Sequence, residues 1–402
     1  MGTPKANGLP DGWETKRIDE LGEVRGGRQR SPHLTAGQLR PYLRVANVLA
    51  GRIDTSDVLE MKFTDEEYEL YRLQPGDVLL NEGQSLELVG RSAIYQGDPP
   101  DCCFQNTLVR FRPHVGNDPR FAHYLFEQLR GEGRFALIAT KTTSIAHLGI
   151  SRFASLRVPC PPPNVQRCIV TILDAWTRAE DAAARLIVAK AKLRDALHRR
   201  LTAGNDRPRR KMSDLVERAR VPVEVDPAAE YREIGIRSHG KGVFHKETVL
   251  GSDLGEKDVF AVQPDCLTFN IVFAWEQAVA ITTAAEAGMV ASHRFPMYRP
   301  RNGDLSVRYA LYYLLSPEGK TALELGSPGG AGRNRTLSQD AFQKIAIPVP
   351  PMAEQERIVA VLTAADRELR LLRSQLDAVR RQKQELMRRL LTGELPVPAS
   401  AG

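Results

Sequence analysis

Val158-Pro159-Cys160-Pro161-Pro162-Pro163-Asn164-Val165-Gln166-Arg167-Cys168-Ile169-Val170 returns later in the chain as Ile347-Pro348-Val349-Pro350-Pro351-Met352-Ala353-Glu354-Gln355-Glu356-Arg357-Ile358-Val359. Each copy opens a long helical pattern, and the two patterns close on Leu201-Thr202-Ala203-Gly204 and Leu390-Leu391-Thr392-Gly393. The offset is 189 residues from Val158 to Ile347 and again from Gly204 to Gly393, so the chain is built twice. Such a repeat is far longer than a solenoid unit, and 402 residues suffice for two globular halves with cores of their own.

The prolines fix the backbone before each pattern and stop the helix from extending backwards. From Glu354 to Leu391, Val361, Ala365, Leu369, Leu372, Leu376, Val379, Leu386 and Leu390 mark a coiled-coil seam interrupted by Lys383. From Val165 to Leu201 the corresponding stripe is Ile172, Trp176, Ala179, Ala183, Leu186, Leu193 and Leu197, with Lys190 in the seam. About 35 residues at 1.5 Å each make a rod of roughly 50 Å. Two rods in one chain are expected to pack antiparallel and to hold the halves apart. The organisation read from these signals is residues 1–157 and 205–346 as mixed domains, and 158–204 and 347–402 as helical spacers, the last with a C-terminal tail. The fold class is α+β: two tandem mixed α/β domains separated by two long helices.

Within the first half, Tyr42 to Val48, Asp77 to Leu80, Val89 to Tyr95 and Thr107 to Phe111 read as short strands bounded by turn residues. Phe121, Leu125 and Leu129 share one face of a helix from about Pro119 to Arg130. The second half echoes these anchors: Tyr231 and Ile234 stand for Tyr42 and Val45, Pro264 for Pro75, Asn270 for Asn81, and Leu337 and Phe342 for Leu148 and Phe153. Between the anchors the halves diverge, GQSLELVGRSAIYQ having no recognisable partner in FAWEQAVAITTAAEAG. A retained scaffold with altered loops is the pattern of two related readers of different ligands.

Catalytic chemistry is hard to find. Asp98-Pro99-Pro100-Asp101 lacks the aromatic that an amino-methyltransferase motif stacks on its flipped base, and no Gly-rich loop follows a strand to hold a methyl donor. Glu318-Gly319-Lys320 and Glu14-Thr15-Lys16 are isolated fragments of a nuclease pattern, without convergent carboxylates. There is no HExxH and no P-loop, and Cys102, Cys103, Cys160, Cys168 and Cys266 form no paired CxxC hooks, so neither an enzyme nor a metal site is expected. The thiols read as buried or idle in a reducing compartment, and the absence of a membrane span or signal segment makes the expectation soluble and cytoplasmic.

The 56 Lys and Arg exceed the 49 Asp and Glu, for a formal charge of +7. Two basic clusters, Arg199 to Lys211 and Arg380 to Arg389, recur at equivalent helix ends, where they suit either phosphates or the helix dipole. Three loops pair flexible backbone with donors suited to phosphates or guanine edges: Arg25-Gly26-Gly27-Arg28-Gln29-Arg30, Arg237-Ser238-His239-Gly240-Lys241-Gly242 and Gly332-Arg333-Asn334-Arg335-Thr336. The candidate DNA contacts are Arg28, Arg30, Arg44, Asn81, Gln84, Arg110, His239, Lys241, His293, Arg294, Arg333, Asn334 and Arg335.

Over nearly its full length the chain resembles the specificity subunit of a type I restriction-modification system. The resemblance rests on Leu9-Pro10-Asp11-Gly12-Trp13 followed by Leu21-Gly22-Glu23, on Leu73-Gln74-Pro75-Gly76-Asp77-Val78-Leu79-Leu80, and above all on Pro350-Pro351-Met352-Ala353-Glu354-Gln355-Glu356-Arg357-Ile358-Val359 with its Leu390-Leu391-Thr392-Gly393 ending. It implies two target recognition domains that grip the halves of a split site in double-stranded DNA. The helices would act as ruler and as docking surface for two methyltransferase subunits, here through Gln166, Ile169, Glu354, Gln355, Arg357 and Ile358, and restriction/translocase subunits would join for cleavage. No cofactor is implied in this chain; S-adenosylmethionine would belong to the methyltransferase partner. Two departures stand out: Lys211-Met212-Ser213-Asp214-Leu215 replaces a Gly-Trp opening in the second half, and Asn164-Val165-Gln166-Arg167-Cys168 replaces a form nearer Ala-Glu-Gln-Glu-Arg. The competing reading is a duplicated coiled-coil scaffold without sequence-specific DNA binding.

Overall fold

The computed structural model describes residues 9–30, 36–141, 145–204, 207–255, 257–329 and 335–397. The chain forms two compact units, Met1–Ala183 with Gln375–Gly402, and Ala184–Ser374.

In the first unit the strands β1 (Gly22–Gly26), β2 (Val78–Asn81), β3 (Ser92–Ile94) and β4 (Leu108–Pro113) form an antiparallel sheet in the order β1-β4-β2-β3. The helix α1 (Pro119–Gly131) starts where Asp118 accepts a hydrogen bond from the Arg120 amide and Pro119 presets the first turn. Its apolar face meets Phe111 of the sheet through Phe126, with the rings edge to face at 5.1 Å. The long helix α2 (Pro163–Thr202) adds Ile169, Val170 and Leu173 to this core, and Leu390 and Leu391 close it. A second sheet, of Cys103–Phe104, Gln38–Leu43 and Leu59–Phe63, covers a smaller core around Leu43, Leu79, Phe104 and Leu108.

The second unit repeats the plan. Strands β5 (Val216–Ala219), β6 (Leu267–Phe269), β7 (Val279–Ile281) and β8 (Met297–Pro300) are ordered β5-β8-β6-β7, the same order strand for strand. The helix α3 (Val307–Leu314) starts at Ser306, whose Oγ accepts from the Tyr309 amide. The long helix α4 (Met352–Leu391) has 40 residues, as α2 does, and supplies Ile358 and Leu362 to the core. The missing Gly-Trp opening has no consequence for this entrance. Arg209–Lys211 pairs with Ala346–Pro348 as Glu14–Arg17 pairs with Arg157–Cys160, and Met212 and Leu215 are buried like Ile18 and Leu21.

The first long helix keeps the expected heptad period and the row Trp176, Ala183, Lys190 and Leu197, but its other row is shifted by one residue. Leu186 and Leu193 are about half exposed at 45% and 53%, and Ala179 is exposed. Leu173, Glu180, Ile187 and Arg194 turn inward instead, alternating with Trp176, Ala183, Lys190 and Leu197. The reason is chemical. In the first unit Glu180 accepts from Arg380 at 2.8 Å and Lys383 at 3.1 Å, and in the second Arg194 donates to Asp366 at 2.7 Å while Lys190 meets Glu368 at 2.7 Å. The second pair of contacts runs antiparallel, and charge pairs occupy the seam at Glu180, Lys190 and Arg194, where Ala179, Lys190 and Leu193 were expected. On α4 only the first seam residue changes, Val361 being exposed and Leu362 buried.

Candidate nucleic-acid interface

Strand polarity decides which loops meet. Val109 faces Gly26 and Leu108 faces Asn81, so the ends of β1 and β2 and the start of β4 lie on one edge of the first sheet. That edge carries Gly27 to Arg30, Glu82 to Gln84 and Gln105 to Thr107, tied by backbone bonds from Asn106 to the Arg28 carbonyl and from Glu82 to the Thr107 carbonyl. Gly83–Gln84 pairs with Ala146–His147, whose imidazole Nδ1 is 2.9 Å from the Glu82 carboxylate. Arg30, Asn106 and Lys141 are exposed there and Gln84 is half-buried.

The second sheet has the same edge. Ala219 and Thr268 both face Met297, and Phe269 faces Val279, which brings Asn270 to Gln277 beside Ser292 to Phe295. The Ile271 amide donates to the Arg294 carbonyl, and Leu337 donates to the Ile271 carbonyl at 2.8 Å. Its first-half counterpart, Leu148 to the Glu82 carbonyl, is 2.9 Å. A ribbon of Glu230–Ile236 and Val243–Leu250 brings its tip, Arg237 to Gly242, against this edge. The Arg237 guanidinium lies 4.9 Å over Phe244, and Arg335 lies 5.2 Å over Trp275. Farther along the ribbon charges are neutralised: Lys246 and Lys257 both pair with Glu233, and His245 meets Glu286 at 2.8 Å. Burial disfavours ionisation of Glu233, but hydrogen bonds from Lys257 and Lys246 outweigh it and hold the carboxyl below the ordinary range.

The structure sorts the expected contacts. His239, Lys241, His293 and Arg294 are exposed and Arg335 half-buried, all on one surface of the second unit; Arg30 and Gln84 belong to the first edge. Arg333 and Asn334 lie outside the described residues. Arg28, Asn81 and Arg110 are corrections, since all three are buried. Arg28 pairs with Glu67 at 2.8 Å above the Phe63 ring, and Asn81 donates towards the Val48 carbonyl. Arg110 meets Glu23 at 3.0 Å and the carbonyls of Leu70 and Arg72. Its guanidinium also lies 5.5 Å over the Phe104 ring of the second sheet, which with those carbonyls closes it off from solvent. Arg44 is half-buried and paired with Asp57. The aromatic partners Phe244 and Trp275 were not singled out from sequence; their proximity to Arg237 and Arg335 is a tertiary fact, for which an aromatic within a basic loop region was the available signal.

The expected docking residues are likewise divided. Ile169 and Ile358 are core, and Gln166 and Gln355 are buried latches. Gln166 Oε1 accepts from the Asp118 amide at 3.1 Å, while its Nε2 donates to the Pro161 carbonyl at 3.0 Å and to Asn117 Oδ1 at 3.1 Å. Gln355 Oε1 accepts from the Ser306 amide, and its Nε2 donates to the Pro350 and Asp304 carbonyls, all at 2.9 Å. Each glutamine therefore binds the N-terminus of α1 or α3 to the proline segment before a long helix. A buried amide with every group satisfied serves the fold, not a partner surface. Arg357 is exposed, and Glu354 is half-buried and paired with Arg207. Among the basic clusters, Arg207, Arg210, Arg380 and Arg388 have acidic partners, whereas Arg199, Arg200, Lys211, Arg381 and Arg389 are exposed.

No group of three or more His, Cys, Asp or Glu among the described residues is placed to hold a metal ion, and no helix among them is long and apolar enough to cross a membrane.

The model of the type I restriction modification DNA specificity domain matches residues 10–187 and 264–381, more than half of the chain. The chain is 24% identical over 413 residues to a protein named as the MjaX specificity subunit of a type I restriction enzyme of Methanocaldococcus jannaschii, with 97% of this chain and 95% of that one covered. It is 28% identical over 154 residues to the EcoKI specificity subunit of Escherichia coli, covering 37% of this chain and 32% of that one. In fold it is similar to the S subunit of M. genitalium, with a TM-score of 0.53, 16% identity and 96% and 97% of the two chains covered. A chain from a structure of type I restriction-modification complex assembly gives a TM-score of 0.61 at 16% identity, with 96% and 99% covered. The repeated sheets, the paired long helices and these matches agree: the chain belongs to the family of type I restriction-modification specificity subunits, the non-catalytic components of those systems.

Proposed function

We propose that this chain reads a bipartite DNA site and docks the methyltransferase and restriction subunits that act on it. The observation that carries the reading is the recurrence of one sheet edge in both halves with different side chains on it. Arg30, Gln84 and Asn106 furnish the first edge, and Arg237, His239, Lys241, His293, Arg294 and Arg335 the second. Base edges in the major groove discriminate through side-chain hydrogen bonds, while the flanking cations set register on phosphates. The long helices fix the spacing of the half-sites. Docking uses their outer faces, Leu186 and Leu193 on α2 and Arg357 on α4, because the inward glutamines are engaged. Adenine methylation takes place in the partner, which supplies S-adenosylmethionine and flips the base.

The test is co-expression with a partner methyltransferase subunit of the same system, followed by single-molecule sequencing of DNA methylated in the presence and absence of the chain. Methyladenine in one split motif, lost without this chain, is expected. A stable complex that methylates no motif would favour a scaffold that organises proteins without reading DNA. Lengthening both long helices should change the spacer and leave both half-sites intact.

A further inference from the structure

The tips of the two halves differ at one residue whose backbone the scaffold does not require to be unusual. Gly51 and Gly240 stand 189 residues apart and both have left-handed backbone, with φ of 69° and 64°. Each donates its amide to a neighbouring strand end, Gly51 to the Ser92 carbonyl and Gly240 to the Gln277 carbonyl, both at 3.0 Å. The residues before them are Ala50 and His239. Ala50 keeps negative φ, whereas His239 has φ of 60°, a conformation that side chains bearing a Cβ adopt reluctantly.

His239 is not a loose residue that wandered there. Its amide donates to the Glu276 carbonyl at 2.8 Å, Ser238 Oγ donates to the Glu276 carboxylate at 2.8 Å, and Gln277, itself at φ of 57°, is pinned by its side chain to the Leu314 carbonyl at 3.0 Å. The imidazole nevertheless remains exposed, between the exposed Arg237 and Lys241. A strained backbone beneath an exposed hydrogen-bonding side chain persists only because its surroundings hold it. Arg237 and Lys241 have no acidic partner among the described residues, so the tip presents cations on either side of an imidazole that offers an N–H donor. A two-stranded ribbon of this kind fits the major groove, where purine N7 and O6 accept such donors.

We infer that His239 is the specificity-determining residue of the half-site read by the second unit, contacting a purine edge while Arg237 and Lys241 hold the phosphates. This rests on the DNA-reading function proposed above. The first unit reads without such a ribbon tip, its Ala50-Gly51 turn lying against the body of the unit, with His123 Nε2 within 3.7 Å of the place a Gly51 side chain would occupy.

The discriminating variant is His239→Gly in the full chain, assembled with its methyltransferase. Glycine accepts the positive φ, so the complex should unfold at the same temperature or a few degrees higher. Methylation should keep the first half-site and lose about tenfold to a hundredfold discrimination at one position of the second. His239→Asn, which also tolerates this backbone, should keep a preference there but change the preferred base pair. An unchanged motif in both variants would overturn the inference and leave His239 as a strained turn. So would loss of discrimination in the first half-site alone. Failure of the DNA-reading function itself is separate, because it appears in the wild-type complex as the absence of any split motif.

Discussion

The two halves share their hidden polar chemistry more closely than their exposed chemistry. Gln166 and Gln355 make the same two contacts, to the amide that precedes a helix and to a proline carbonyl, and differ only in the third, and Leu148 and Leu337 donate to equivalent carbonyls, although few residues around them agree. A more telling case is the tyrosine of α1 and α3. Tyr124 Oη binds Asp174 at 2.8 Å and Thr177 at 3.0 Å, whereas Tyr312 Oη binds Thr363 at 3.2 Å and Asp366 at 3.0 Å. Asp and Thr have exchanged places one helical turn apart, and the tyrosine has one of each in both halves. The two halves therefore share the set of partners rather than the positions. On the sheet edges they share neither: carried forward 189 residues, Arg30, Gln84 and Asn106 fall on Ala219, Phe273 and Phe295. Buried groups without water must be satisfied in any variant, while exposed ones answer only to what they bind.

The latches offer the strongest way to break this comparison. Gln166→Leu or Gln355→Leu leaves a helix-capping amide and a proline carbonyl without partners, and each should lower stability by about 2–4 kcal/mol. The loss should fall in the mutated unit's own transition in calorimetry; losses below about 0.5 kcal/mol would show that water replaces the amide and that the latch matters little.

The exchanged pair allows a sharper cycle. Asp174→Thr and Thr177→Asp should each cost about 1–2 kcal/mol, because Tyr124 loses its mixed partners. The double variant recreates the second half's arrangement and should recover to within about 0.5 kcal/mol of wild type, less the exposed Arg120–Asp174 pair. Additive losses in chemical denaturation would mean that the two positions are not interchangeable.

Seam charges should matter less. Burial disfavours the Glu180 carboxylate, yet hydrogen bonds from Arg380 and Lys383 hold it below the ordinary glutamate range. A depressed folded value means that its stabilisation is full above the unfolded value, near 4.5, and disappears as pH falls through the lower folded value. Glu180→Gln should therefore lose about 1 kcal/mol at neutral pH and show a flatter acid limb below about pH 4.5. Equal acid limbs in the two proteins would remove the charge from the seam's energetics. The smallest effect belongs to the outer stripe: Leu186→Lys and Leu193→Lys should change stability by less than about 0.5 kcal/mol, and a melting temperature that falls by several degrees would place those leucines back in a packed seam.

The duplication, both long helices, the helix beginning at Pro119 and the strand after Pro75-Gly76 were legible in the chain, because prolines, helical periodicity and a constant offset are local signals, whereas Tyr42 to Val48, expected as a strand, leaves its strand at Leu43 and turns. The α2 seam was legible in its period and in the row Trp176, Ala183, Lys190 and Leu197, but not in its second row. Leucine content pointed to Leu186 and Leu193, although the α4 seam, carried back 189 residues, falls on Glu180, Ile187 and Arg194. Hydrophobicity alone cannot recognise a charge whose partner is some two hundred residues away. The same limit governed the candidate contacts: Arg28 and Arg110 carry the charge of a DNA contact, and only the second sheet folding over them makes them structural. Sequence by itself thus determined that this protein has two copies of one scaffold joined to paired helices, since repeats and periods are written along the chain. Tertiary structure alone decided which polar side chains face water, because burial depends on what the rest of the chain places above them.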